Sequence, residues 1–145
     1  VRERFNLGCS RYRALHGDRF LIIVTETWRD AAAQDAAKKN GKSSARAGQS
    51  LHNPVDEHGR PHSYAIDFML LDTETRRLLH GTSDEEWKRY AEAAACMKAV
   101  GFRWSGDWTQ RRGVPRECGH VEAPIRLSDA HAGLAPSWPE LSAPQ

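Results

Sequence analysis

With 145 residues, 39% hydrophobic and 28% charged, the chain fits one globular domain that can bury a core without staples. Its formal charge of +2 is too small to argue for nucleic acid, and its apolar run Phe20 to Val24 is far too short to cross a bilayer. The three cysteines, Cys9, Cys96 and Cys118, show no C-x-x-C spacing, which argues against a zinc ribbon or a thioredoxin-like site; Cys96 reads as a small core residue and Cys118 as filler. No charged-then-apolar leader opens the chain, so either none exists or the sequence starts after a cleavage.

Arginines 2, 4, 11, 13 and 19 read as a solvated face, with attraction to an acidic polymer the lesser reading. Residues 20–26 are a strand entering the core. Asp30 is placed to cap an Ala-rich helix over 31–39, closed by Asn40-Gly41. A Ser, Gly, Lys and Arg-rich loop over 42–50 leads to two extended stretches, 50–55 and 64–71, with turn chemistry over 56–61 between them. Ser83 and Glu86 form a capping box for a helix over 84–100, whose stripe of Trp87, Tyr90, Ala94 and Met97 is core. Gly101 ends it, an aromatic cluster of Phe102, Trp104 and Trp108 surrounds a Gly106-Asp107 turn, and 118–122 is a last short strand. Residues 123–145 hold four of the seven prolines and read as an irregular tail beyond a domain over 1–122. The mixed order of elements predicts the α+β class.

Any one of the seven histidines is more often a surface or core residue than a ligand, so context decides. His52 stands in Ser50-Leu51-His52. Asp67 ends Ala65-Ile66-Asp67 in an apolar strand, where a lone carboxylate is costly to bury. A metal would keep it there, and so would a salt bridge to an arginine. Glu117 precedes His120 by three residues. Two histidines and a carboxylate make a catalytic zinc set with one position left for water, and a neighbouring free carboxylate can take and return a proton. The common H-E-x-x-H helix is absent.

The order of short motifs resembles the zinc peptidases that include D-alanyl-D-alanine carboxypeptidases and L-alanyl-D-glutamate endopeptidases, among them many phage endolysins. The carriers are Val24 to Arg29 with Gln34, Gly48 to Asn53, Ser63 to Phe68, Gly101 to Trp108, and Glu117 to His120. The resemblance implies a small antiparallel sheet with packed helices, and a Zn2+ ion on His52, Asp67 and His120. It implies Glu117 as the catalytic base and Arg29 as a contact to a substrate carbonyl or carboxylate. Ser50, Gln34, Trp108 and Asp107 are the further substrate-binding candidates.

The implied activity is zinc-dependent cleavage of peptidoglycan stem peptides, preferably as an L-alanyl-D-glutamate endopeptidase. The chain would be a monomeric one-domain endolysin, made in the host cytoplasm and acting in the periplasm or cell wall. A D-alanyl-D-alanine carboxypeptidase is the close alternative, decided by loop shape. A non-enzymatic zinc-stabilised domain that binds cell wall is the alternative from another class, and Glu117 discriminates against it. Two departures stand out. Fourteen residues separate His52 from Asp67, more than the family usually has, and they include His58 and His62 as rival ligands. Ser105 stands where a glycine is common, which should alter the loop near the site.

Overall fold

The computed structural model describes residues 1–43, 45–108 and 117–141. In chain order the elements are α1 (Arg2–His16), β1 (Phe20–Glu26), α2 (Ala31–Lys39), β2 (Ala65–Asp72), β3 (Arg77–Leu79), α3 (Asp84–Lys98), β4 (Arg103–Trp104), a 3-10 turn (Ser105–Asp107), β5 (His120–Glu122) and α4 (Leu127–His131). The strands form one antiparallel sheet in the order β1-β2-β5-β4, and β3 pairs with the far half of β2. The class is α+β, as expected.

β2 decides the architecture. Ile66, Phe68 and Leu70 point to one face, where they are buried with Phe5 and Tyr12 of α1 and Tyr90 and Met97 of α3. Ala65, Asp67, Met69 and Leu71 alternate to the other face. The helices therefore cover one side of the sheet, and Asp67 stands on the side they leave open.

Local chemistry matches the expected boundaries in most places. The Asp30 carboxylate accepts from the Ala33 amide at 2.7 Å and starts α2. The Ser83 hydroxyl accepts from the Glu86 amide at 3.2 Å. The Glu86 carboxylate reaches past Ser83 to the amides of His80 and Thr82, a variant of the expected box. Gly101 stops the chain after α3 with φ of 99°.

Three differences are physical. The first is α1, a helix that the sequence signals only through a run of solvated arginines. Its buried stripe is Phe5, Gly8 and Tyr12, and a Cβ at Gly8 would press on the Met97 side chain. A glycine weakens the helical signal in the sequence, yet it is what lets α1 lie close against α3. The second is 50–55, which is made of turns apart from a single bridge between Val55 and Pro61. The third is the tail, whose described part contains α4. Ala123, Ile125 and Ala130 are buried with Leu51, Tyr64 and Ala65, and Trp138 packs edge-on against Phe102 at 5.1 Å. Residues 142–145 lie outside the described residues. Among the described residues no helix is long and apolar enough to cross a membrane.

Candidate metal centre

Asp67 and His120 are direct partners across the β2–β5 ladder, so their side chains leave the same face side by side. His52 arrives from the turn after residue 49, where its amide donates to the Ser50 hydroxyl at 3.2 Å. His52 Nε2 lies 3.2 Å from Asp67 Oδ1 and 3.3 Å from His120 Nδ1, and His120 Nδ1 lies 2.7 Å from the same Asp67 oxygen. An ion bonded tetrahedrally at about 2.0–2.1 Å separates its ligands by about 3.3–3.4 Å, so the triangle has nearly the right size. These three residues are the one such group among the described residues.

The outer hydrogen bonds aim the rings. His52 Nδ1 is 2.5 Å from the Thr27 carbonyl oxygen. A carbonyl only accepts, so this nitrogen carries the hydrogen and Nε2 turns its lone pair inward. His120 Nε2 faces the Glu122 carboxylate at 3.2 Å, which leaves Nδ1 as the inward nitrogen. Two lone pairs and a carboxylate oxygen thus converge with no donor of their own, an arrangement that calls for a cation. In metal-free protein a proton serves. Burial opposes charge on His120, but its bonds to Asp67 and Glu122 prevail and lift its pKa to about 10. Burial likewise opposes charge on Asp67, and the two histidines overcome it, holding the carboxyl well below its usual range. The residues present fit a metal of the zinc type.

The sequence expectations meet the structure unevenly. His52, Asp67 and His120 come together as expected. His58 and His62 do not join them. His62 bonds to Asp56 at 3.0 Å, and His58 faces Glu57 at 3.5 Å. The segment between His52 and Asp67 folds into its own turn around Asp56, and His52 Nε2 meets Asp67 Oδ1 at 3.2 Å outside that turn.

Arg29 is turned inward. Its guanidinium grips both oxygens of Glu26, donates to Gln34 Oε1 at 2.9 Å and reaches Asp67 Oδ2 at 3.5 Å. Only 9% of its side chain is exposed, so its contacts brace Asp67 and leave little surface for a substrate. Gln34, expected among the substrate contacts, is fully buried; its amide donates to Ser43 Oγ and the Ala45 carbonyl while its Oε1 braces Arg29. Ser50 holds the His52 turn. Asp107 pairs with Lys98 at 2.7 Å. Trp108 is 37% exposed and stands edge-on to the His120 ring at 6.3 Å, the one aromatic of the expected set that faces the site.

Glu117 is exposed at the start of a clamped segment. The Ser105 hydroxyl donates to the Glu117 carbonyl at 3.0 Å, the Trp104 indole to the Cys118 carbonyl at 2.8 Å, and the Phe68 amide to the Gly119 carbonyl at 2.7 Å. Ser105 in place of a glycine therefore adds a tether beside the site. After Asp67 and Glu122, the charge on Glu117 adds to what raises the His120 pKa.

Glu26, the Thr27 carbonyl and Glu122 support the site without standing out in the sequence. Glu122 was accessible, because it is two residues after His120 on a strand and so shares its face. Glu26 was not, because it reaches that face through a bulge between Val24 and Glu26 that moves Glu26, in place of Thr25, opposite Asp67.

No protein-family model matches the chain. It is 31% identical over 109 residues to the peptidoglycan L-alanyl-D-glutamate endopeptidase CwlK of Bacillus subtilis (strain 168), a match covering 65% of this chain and 58% of that protein. The chain resembles the L-alanyl-D-glutamate endopeptidases. It spans somewhat more than half the length of this curated relative. Its fold matches the crystal structure of the L-Ala D-Glu endopeptidase ChiX of Serratia marcescens, with a TM-score of 0.50, 17% identity and 90% of each chain covered.

Proposed function

We propose that this chain is a zinc-dependent peptidase that cleaves peptidoglycan stem peptides as an L-alanyl-D-glutamate endopeptidase, acting as a monomer at the cell wall in the manner of an endolysin. The observation that carries the reading is the inward-facing set of His52 Nε2, Asp67 Oδ1 and His120 Nδ1, in a chain with a sequence relationship to CwlK.

His52, Asp67 and His120 would hold the ion, which when bound supplies a Lewis acid that acidifies water and polarises a scissile carbonyl. The chain supplies the rest. Thr27 and Glu122 fix the two ring orientations, and Arg29, held by Glu26 and Gln34, braces Asp67 from the other side. The Glu117 carboxylate takes the proton of the attacking water and returns it to the leaving amine, so the peptide C–N bond breaks and the new C–O bond forms with protons balanced. Trp108 offers an exposed aromatic wall to the substrate next to His120.

The test is digestion of purified peptidoglycan by zinc-loaded protein, read by mass spectrometry of the released fragments. New amino termini on D-glutamate support the proposal. Release of free D-alanine alone would make the protein a carboxypeptidase, and wall binding without any cut bond would make it a binding domain.

A further inference from the structure

The two ligand histidines are anchored by different chemistry. His52 leans on a backbone carbonyl, that of Thr27, which the fold holds in place. His120 leans on a side chain, Glu122, which could turn away unless something held it. Arg103 holds it: its Nη2 is 3.1 Å from Glu122 Oε2, while Glu122 Oε1 takes the His120 Nε2 contact at 3.2 Å. The sheet makes this possible. Arg103 is the direct partner of Glu122 across β4 and β5, and Ala65 opposite Glu122 on β2 contributes only a methyl group. Arg103 is fixed in turn by the carbonyls of Ala123 at 3.3 Å and Ile125 at 3.2 Å, the first residues of the C-terminal segment.

Resting on the zinc reading above, we propose that Glu122 and Arg103 are positioning residues for His120, a two-step brace through which the C-terminal segment sets how tightly the metal is held. A charged acceptor on the outer nitrogen fixes the ring and makes the inner nitrogen a better donor than a neutral carbonyl does, and loss of such a partner typically weakens metal affinity by about 10–100-fold. Arg103 touches neither the ligand ring nor the metal position and acts only through Glu122. His120, not His52, is then the ligand whose strength the protein can tune.

The experiment measures zinc affinity of the full chain by competition with a chromogenic chelator, and the visible absorption of the cobalt-substituted protein, with far-ultraviolet circular dichroism as the check on folding. Glu122→Ala should bind zinc about 10–100-fold more weakly and shift the cobalt bands. Glu122→Gln keeps the volume and should fall between it and the parent, so it carries the test if the alanine variant does not fold. Arg103→Ala should weaken zinc less, and should add nothing in the Glu122→Ala background. Arg126→Ala lines the same surface hollow as Arg103 and should change neither readout. Equal losses from Arg103→Ala in both backgrounds would show a merely structural role and overturn the brace. Parental affinity and spectrum in both Glu122 variants would overturn the proposal and leave the metal reading standing, whereas a parent chain that binds no zinc would overturn both.

Discussion

β2 has two sides with opposite demands. Ile66, Phe68 and Leu70 meet a continuous apolar layer from α1 and α3, and each is at most 4% exposed. One residue away on the other side, Asp67 meets Arg29, His52 and His120, all of them polar. The packed side tolerates little change in volume, and a polar atom is costly there unless hydrogen-bonded, as the Tyr90 hydroxyl is to the Leu79 carbonyl at 2.6 Å. The open side is the reverse, a charge arrangement that is uncomfortable alone and resolved by a cation. The lesson is that stability and function here are separated by the pleat of a strand and not by distance.

The sharpest way to test that separation is to remove chemistry without touching either packing or ligands. Glu117→Ala should leave the fold and the zinc content unchanged and lower turnover by about 10²–10⁴-fold, the usual contribution of a general acid–base group. Rates of fragment release from peptidoglycan, paired with zinc content, decide it; a zinc-loaded variant at the parental rate would remove Glu117 from the mechanism.

The two sides should then fail differently. Phe68→Ala leaves a cavity beneath α3 and should lower unfolding free energy by about 3–5 kcal/mol, read from urea titration of metal-free protein. Asp67→Asn should instead abolish the rise in melting temperature that zinc gives the parent, because a ligand that binds only the folded state stabilises it by mass action. A Phe68→Ala protein of parental stability, or an Asp67→Asn protein still stabilised by zinc, would break the division.

Much of this was legible beforehand, and the exceptions have causes. The candidate ligands His52, Asp67 and His120 could be picked out because S-x-H, A-x-D and E-x-x-H follow one another in the order of the peptidases the sequence resembles. β1, β2, α2 and α3 could be read because periodicity and caps agree. What could not be read depends on partners distant in sequence. Arg29 and Gln34 were assigned to substrate from motif position, but their contacts with Glu26, Ser43 and Asp67 depend on a bulge and a loop that no local pattern announces. α1 was hidden by the glycine that its packing requires.

Gly119 is where the two sides of β2 are mechanically joined, so it offers an intermediate effect. A Cβ there would collide with the Phe68 carbonyl oxygen, next to the ladder that carries His120. Gly119→Ala should cost about 1–3 kcal/mol, as overpacking does, and should weaken zinc binding at the same time. Urea midpoints and zinc competition on the same preparation check the coupling; a loss of stability with parental zinc affinity would show that the strand absorbs the strain before His120.

The smallest effect belongs to the insertion between the first two ligands, which holds the two rival histidines yet stands apart from the site. Its centre is the Asp56 carboxylate, 1% exposed, which accepts from the His58 and Arg60 amides at 2.9 Å each, from Arg60 Nε at 2.7 Å and pairs with His62 at 3.0 Å. The His62 bond first, and then the bonds from Arg60 and His58, outweigh burial and hold the Asp56 pKa well below the usual carboxylate range. A carboxyl whose pKa is lower in the folded than in the unfolded chain adds stability above its ordinary value near 3.8, and that stability drains away as the pH falls towards the depressed value. Metal-free parent should therefore lose urea resistance between pH 5 and pH 2.5 more steeply than Asp56→Asn, which should be slightly weaker at pH 7 and flatter below it. Zinc affinity at pH 7 should be the same in the two proteins, and the same again in His58→Ala and His62→Ala. If either histidine variant bound zinc more weakly, the insertion would be part of the site and the separation drawn from β2 would stop at its edge.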